Sequence, residues 1–328
     1  MKNRRLKGVR FGTRPPLKVE LSFTGSLKLM GIYVEILIRG DMAELWEKTQ
    51  DPKEHQRWDL RFSEIDYLPR EPGQAQKFLY ATRIGAGLRI DGAGESTGEH
   101  DEAIGQRTSA LKFWSEDSKS LIKFGSGYWK YIPVSDGIRF ITWYDYQTRF
   151  SAFGRLIDKL LFRPLIGWAT AWSFDRLRLW IENDISPEAS RDRTLVHSLS
   201  RLTVAFVWLY HGLVPKLIYR SPGELKMLRD AGIASSHVLT LVSLLGIAEV
   251  CFAAILITFW RSRWPLWLTL AAMVVALVGV AATSPEFLAA AFNPVTLNLT
   301  VAALALIDLL VCENLPTALT CRRKAPEN

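Results

Sequence analysis

The chain has 328 residues, 48% of them hydrophobic, and a net charge of +8, which leaves room for two domains. Its three cysteines, Cys251, Cys312 and Cys321, form no C-x-x-C; this excludes a disulfide-built scaffold and a structural zinc site and fits a reducing compartment for any water-soluble part. Lys2, Arg4, Arg5, Lys7, Arg10, Arg14, Lys18 and Lys28 stand against Glu20 alone in residues 1–29, so most of the net charge sits there and no folded segment keeps a basic stripe for nucleic acid.

That leader, 1–29, lacks the apolar core of a secretory signal. Three readings stay open: a polybasic arm for anionic headgroups, worth about 1 kcal/mol per cation near the surface, a disordered tail, or sequence upstream of a start at Met30. Ile32–Arg39 then reads as a strand. Asp41 caps a helix through Ala43–Thr49, and Asp51-Pro52 ends it. Strand-like runs follow at Glu64–Leu68, Lys77–Ile84, Arg107–Trp114, Leu121–Ile132 and Ile138–Gln147, separated by turn signals at 71–73, 116–118 and 135–137. Gly85–Gly105, rich in glycine and acids, is expected to hold one more glycine-bent strand, and Gly92-Ala-Gly-Glu95 in it reads as a strand bend in preference to a phosphate site. A long helical pattern runs from Phe150 to Ile181, and Pro164 and Gly167 predict a break near 163–167.

Strand, short helix, antiparallel strands and long closing helix resemble the START-like, or SRPBCC, superfamily, also called the polyketide-cyclase-like helix-grip fold. The resemblance covers about residues 31–183. It is carried by Trp129-Lys-Tyr-Ile-Pro133, Gly137-Ile-Arg-Phe-Ile-Thr-Trp-Tyr-Asp-Tyr146 and Trp168-Ala-Thr-Ala-Trp-Ser-Phe-Asp-Arg-Leu-Arg178. It implies a curved sheet around the last helix and an apolar cavity for a lipid-like or polycyclic ligand. The residues themselves show no metal-ligand spacing and no nucleophile with a paired base, and no acid–base pair can be placed in the cavity from sequence; no catalytic residue is assigned. The candidate cavity residues are Arg83, Arg89 and Arg139, as inward headgroup binders, and Trp143, Trp168 and Trp172, as cavity wall and gate. Core packing and solvent-facing arginines are the competing readings.

The last third of the chain holds four apolar stretches, Leu202–Tyr219, Val238–Trp260, Trp264–Ser284 and Pro294–Val311. Each approaches the roughly 20 residues a membrane span needs. Arg191, Arg193, Arg201, Arg261, Arg263, Arg322, Arg323 and Lys324 flank the spans on one side, and the 284–293 loop has no Lys or Arg. By the positive-inside rule both termini and the soluble domain face the cytoplasm. The charged 1–2 loop, with Lys216, Arg220, Lys226 and Arg229 against Glu224 and Asp230, argues the other way unless it is a re-entrant or interfacial piece.

Trp208-Leu-Tyr-His-Gly-Leu-Val-Pro-Lys216, Gly246-Ile-Ala-Glu249, Asn293-Pro294 and Asn298 resemble the DoxX-like family of small four-helix membrane proteins, over about residues 196–315. The family takes its name from a subunit of a thiosulfate:quinone oxidoreductase, so the resemblance implies a quinone-linked or membrane-redox role. Glu249 lies mid-span, where a carboxylate must be neutral, paired or facing a polar cavity. His211, Lys216, Asn298 and Asp308 are its candidate companions in a proton relay or headgroup site. The competing reading is a polar clamp between helices, at about 0.6 kcal/mol a pair, with Lys216 snorkelling to the interface.

The expected architecture is an α+β helix-grip domain, a curved antiparallel sheet around a long C-terminal helix, followed by an all-α four-helix transmembrane bundle. The expected boundaries are leader 1–29, ligand-binding domain 30–183, linker 184–195, membrane domain 196–315 and basic tail 316–328. The best functional reading is a cytoplasm-facing module on an inner-membrane anchor that binds, transfers or senses a lipid, isoprenoid or quinone. The rivals are a quinone-linked oxidoreductase subunit with its polar site in the bundle, and a structural anchor recruiting a redox protein partner. No motif requires a cofactor, and quinone is the one that the membrane resemblance brings into play. Membrane lipids are expected partners and nucleic acid is not.

Overall fold

The computed structural model describes residues 31–85, 87–101 and 105–326; the basic leader and Met30 lie outside the described residues. The chain divides into two compact units, one running through Glu188 and resuming at Pro316, the other Ala189–Leu315.

In the first unit, β1 (Ile32–Ile38) alternates buried and half-buried side chains, with Ile32, Val34, Ile36 and Ile38 inward. Asp41 accepts from the Ala43 and Glu44 amides to start α1 (Met42–Gln50), and Asp51 does the same for α2 (Pro52–Trp58), which has its proline in the first turn. Strands β2 (Glu64–Tyr67), β3 (Lys77–Ile84), β4 (Leu88–Asp101), β5 (Arg107–Trp114), β6 (Ile122–Val134) and β7 (Gly137–Thr148) complete one seven-stranded antiparallel sheet in the order β1-β7-β6-β5-β4-β3-β2. The glycine-rich stretch is indeed a strand, and its pairing with β5 slips at Ser96/Gly98, a bulge that bends the sheet.

The closing helix breaks earlier than Pro164 suggested. It runs as α3 (Ser151–Ile157), a π-helical turn over Asp158–Phe162, and α4 (Arg163–Asn183) with Pro164 in its first turn. A proline offers no amide to the carbonyl four residues back and its ring crowds that carbonyl, so the turn that widens is the one before it. From Thr170 through Leu177 every residue of α4 is buried, because the sheet grips it on one side and the tail covers another. Phe174 stacks on Phe140 of β7 at 4.5 Å between centroids, and Trp58 meets Phe174 edge-on. Residues after Pro316 return to this unit. The Arg322 backbone exchanges two 2.9 Å hydrogen bonds with Glu35 on the open edge of β1, and the Thr317 amide donates to the fully buried Asp175 at 2.8 Å. The edge strand is thereby capped.

The second unit takes in nearly all of α5 (Pro187–His211), which passes into a π-helical segment, Gly212–Ile218, around Pro215. Then follow α6 (Pro222–Asp230), α7 (Ser235–Thr258), α8 (Trp264–Thr283) and α9 (Pro294–Val311). Helices α7, α8 and α9 are each long and apolar enough to cross a membrane. The Pro187–Ile218 segment and α6 form a fourth apolar piece bent by 91°, so the charged 1–2 loop is a helix folded across the end of its span. Val204, Leu256, Leu266, Val301 and Ala305 form the unit's dry core, while Val274, Val275, Val278 and Leu310 point outward, as lipid-facing side chains do.

Candidate functional site

The first unit holds a cavity of about 350 Å3 between the sheet and the helices. Rings make much of its wall, and glycines on the neighbouring strand make room for them. Phe78 pairs with Gly94, Tyr80 with Gly92 and Phe113 with Gly125, and a Cβ on any of these glycines would lie 2.2–2.3 Å from the facing ring. Gly92-Ala-Gly94 is therefore a seat for two cavity-wall rings.

Several polar side chains lining the cavity are partnered within the protein. The Tyr131 hydroxyl, itself buried, bonds Thr49 Oγ1 at 2.7 Å and accepts from Gln50 Nε2 at 2.9 Å. Thr82 donates to the Arg61 carbonyl and Thr142 to the Tyr128 carbonyl. One feature was not placed from the sequence: an acid–base pair whose histidine lines the cavity. His55 lies on α2, one turn before Asp59, and its Nε2 is 3.0 Å from Asp59 Oδ2. Asp59 is fully buried and also accepts from Arg61 through the backbone amide, Nε (2.9 Å) and Nη2 (2.6 Å). Trp58, Phe62 and Trp129 surround the imidazole at 4.9–5.2 Å between centroids. Burial holds His55 below its ordinary value and therefore neutral at pH 7, although Asp59 pulls the other way. Burial alone would raise Asp59, but the Arg61 guanidinium and the His55 hydrogen bond outweigh it and keep the carboxylate ionised well below its usual range.

None of the sequence-nominated arginines lines this cavity. Arg83 pairs with Glu64, Arg89 with Glu64 and Asp91 at 2.8 Å, and Arg139 with Glu35 at 2.8 Å, all through strand alternation that turns them away. Arg61 and Arg70 are the arginines at its wall. Trp143 also lies outside the lining, stacked on Tyr128 at 6.0 Å. Trp172 is buried in the core, and Trp168, about 44% exposed, stacks on it at 6.4 Å.

In the membrane unit, Gly212 and Gly246 let two backbones touch. A Cβ on Gly212 would lie 2.6 Å from the Gly246 carbonyl oxygen, and one on Gly246 2.9 Å from that of Gly212. One turn beyond Gly212, Lys216 then meets Glu249, Nζ to Oε1 at 3.1 Å, and reaches Glu224 of α6 at 3.3 Å. Lys216 is buried, and its two carboxylates hold it in. His211, Lys216, Glu249 and Asn298 all line one largely apolar cleft of about 1490 Å3. Asp308 does not join them. It is fully buried between His197 and Arg201, with Arg201 Nε donating to Oδ2 at 2.8 Å. The same guanidinium donates to the carbonyls of Phe259 and Ser262 past the end of α7, so Asp308 anchors a clamp between helix ends. The H-x-x-x-R spacing of His197 and Arg201 was the available signal for it. Among the described residues no cluster has the composition to hold a metal ion.

Fold and sites define a membrane protein in which an antiparallel-sheet cavity domain is joined to an apolar helical unit. A DoxX-like family model matches residues 205–306. The uncharacterized membrane protein YndG of Bacillus subtilis (strain 168) is 48% identical over 182 residues, 55% of this chain and 68% of that protein, and the chain belongs to its family. Among solved structures, the di-domain ARO/CYC StfQ from the steffimycin biosynthetic pathway is similar with 15% identity and a TM-score of 0.38, over 47% of this chain and only 50% of its own. The STAR-related lipid transfer protein from Xanthomonas axonopodis gives 14% and 0.34, over 45% and 82%. At these values the likeness is one of outline and says nothing of a ligand.

Proposed function

We propose that the protein is a membrane-anchored module that binds, transfers or senses an apolar ligand in the cavity of its soluble unit, with that unit facing the cytoplasm. The carrying observation is the cavity itself: about 350 Å3, walled in large part by rings seated on glycines, with much of its polar lining partnered within the protein. That is the size and character of a small-molecule site. A lipid, an isoprenoid or a quinone suits it, and tethering at the bilayer raises the local concentration of such molecules around the mouth. The cytoplasmic side is supported by the arginines at the ends of the spans and by the 284–293 loop, which carries no Lys or Arg.

A second reading rests on the membrane cleft, where His211, Lys216, Glu249 and Asn298 converge. There the bundle would hold the polar head of a membrane ligand such as a quinone and serve a redox partner. Native mass spectrometry of the full-length protein, gently extracted, separates the two. A bound lipid-like molecule lost on Leu111→Trp, which fills the soluble cavity, supports the first reading. A molecule that survives Leu111→Trp and is lost on Glu249→Gln supports the second. A protein empty in every form overturns both in favour of an anchor that recruits a partner.

A further inference from the structure

The His55 pair gives the cavity a chemical preference, and the inference rests on the cavity being the ligand site. Asp59, ionised, can only accept, so the proton between Asp59 Oδ2 and the ring belongs to His55 Nε2. In the neutral imidazole the lone pair then sits on Nδ1. That nitrogen has no hydrogen-bond partner among the described residues, and the ring that carries it lines the cavity. It is an acceptor fixed in tautomer by a buried carboxylate and fixed in direction by three aromatic neighbours. The charge around it is balanced. Arg61 donates Nε and Nη2 to Asp59 and lies 5.3 Å over the Tyr144 ring, so the pair has no net charge to offer an anion. Arg70, the other guanidinium at the wall, is exposed, and water screens it.

We infer that the cavity selects an apolar ligand ending in a neutral hydroxyl, an alcohol or a phenol, whose O–H is donated to His55 Nδ1. An ether of the same shape leaves that acceptor unsatisfied, which is how a buried polar group discriminates. A carboxylate brings two acceptors and a charge to a site that presents a lone pair.

The test uses the full-length protein and three probes of one shape, 4-dodecylphenol, its methyl ether and 4-dodecylbenzoate, competed against one another and read by native mass spectrometry. The phenol is expected to bind about tenfold tighter than the ether, the worth of one well-made hydrogen bond. In His55→Phe the phenol should fall to the affinity of the ether while the ether is unchanged, which also shows that the cavity still folds. His55→Gln, which keeps an acceptor, should restore part of the preference. Equal binding of phenol and ether by the wild type overturns the inference, as does a preference that survives His55→Phe. Tightest binding by the benzoate, lost on Arg70→Gln, overturns it in favour of a charge-reading mouth. If none of the probes binds at all, the cavity reading itself falls.

Discussion

The buried carboxylate of Asp59 and the half-buried one of Glu249 are held differently. Asp59 is surrounded by partners on one short stretch of chain: His55 one turn earlier and Arg61 two residues later. Both shifts push stability the same way with pH. His55 sits below 6.5, so as the pH falls through that value the unfolded chain takes up a proton that the native imidazole refuses. Asp59 sits below 3.8, so its contribution is full above that value and is lost as the pH falls through the native pKa. Thermal melts should therefore show a soluble unit less stable at pH 5.5 than at pH 7.5, and His55→Phe should flatten that slope; a slope that His55→Phe leaves untouched would place its source elsewhere. Glu249 draws its lysine from another helix, and its Oε2 has no partner among the described residues. Lys216→Met is expected to cost about 3–5 kcal/mol by leaving that carboxylate uncompensated. The double substitution Lys216→Met/Glu249→Gln should recover most of it, as followed by thermal aggregation of the purified protein. At this scale the sequence was legible for pieces, not pairings. Glu249, Lys216, His211 and Asn298 stand out as polar residues in apolar runs, and they do line one cleft. Arg83, Arg89 and Arg139 could not be told from solvent-facing arginines, because alternation gives two faces without saying which is concave. His55 and Asp59 are four residues apart, but Asp51-Pro52 marks a helix end in the sequence, and the second helix that sets them one turn apart, like the cavity beside them, is seen only in the fold.

Among the elements, β3, β4, β5 and β6 show how a sheet builds a hollow. A ring lying across a glycine on the neighbouring strand occupies the space that a side chain would have taken, and three such pairs stand at the cavity, Phe78/Gly94, Tyr80/Gly92 and Phe113/Gly125. Gly94→Val should drive the Phe78 ring into the cavity. The expected result is loss of ligand in native mass spectra with a modest destabilisation of about 1–3 kcal/mol, and retained binding would show that the ring has another place to go. Strand alternation with Gly, Pro and Asp turn signals made most strands legible to within a residue or two at each end, and Lys77–Ile84 and Arg107–Trp114 fully so. The break in the closing helix was legible in kind but not in place: proline marks where a helix restarts, while the widened turn lies upstream of it. The closeness of α7 to the π-helical segment was hidden for a related reason. Gly212 and Gly246 read as weak helix positions until their carbonyls are seen facing each other's α-carbons.

For the whole molecule the path of the chain carries an argument about topology. The chain leaves the first unit at Glu188 and re-enters it at Pro316, so the segment between must cross a bilayer an even number of times. Three helices qualify as spans outright, and the bent pair Pro187–Ile218 with Pro222–Asp230 is the only further candidate among the described residues. Even parity predicts that the bent pair is the fourth crossing. The docked tail supplies its own reporter. Cys321 is buried with its sulfur 3.2 Å from the Ala171 carbonyl, and burial pushes its thiol up to about 12, so the folded protein should hardly react with a maleimide there. With Cys251 and Cys312 replaced by serine, Thr317→Pro removes the amide that Asp175 holds and should make Cys321 reactive. In sealed vesicles, a membrane-impermeant maleimide should then reach Cys321 from the same face as a cysteine placed at Asp136, in the exposed turn between β6 and β7. A cysteine at Phe292, which is 99% exposed between α8 and α9, should label only from the opposite face. Labelling of Asp136→Cys and Cys321 from opposite faces would mean an odd number of crossings; the bent pair would then be an interfacial hairpin, and the tail could not rest on β1 in the membrane-embedded protein.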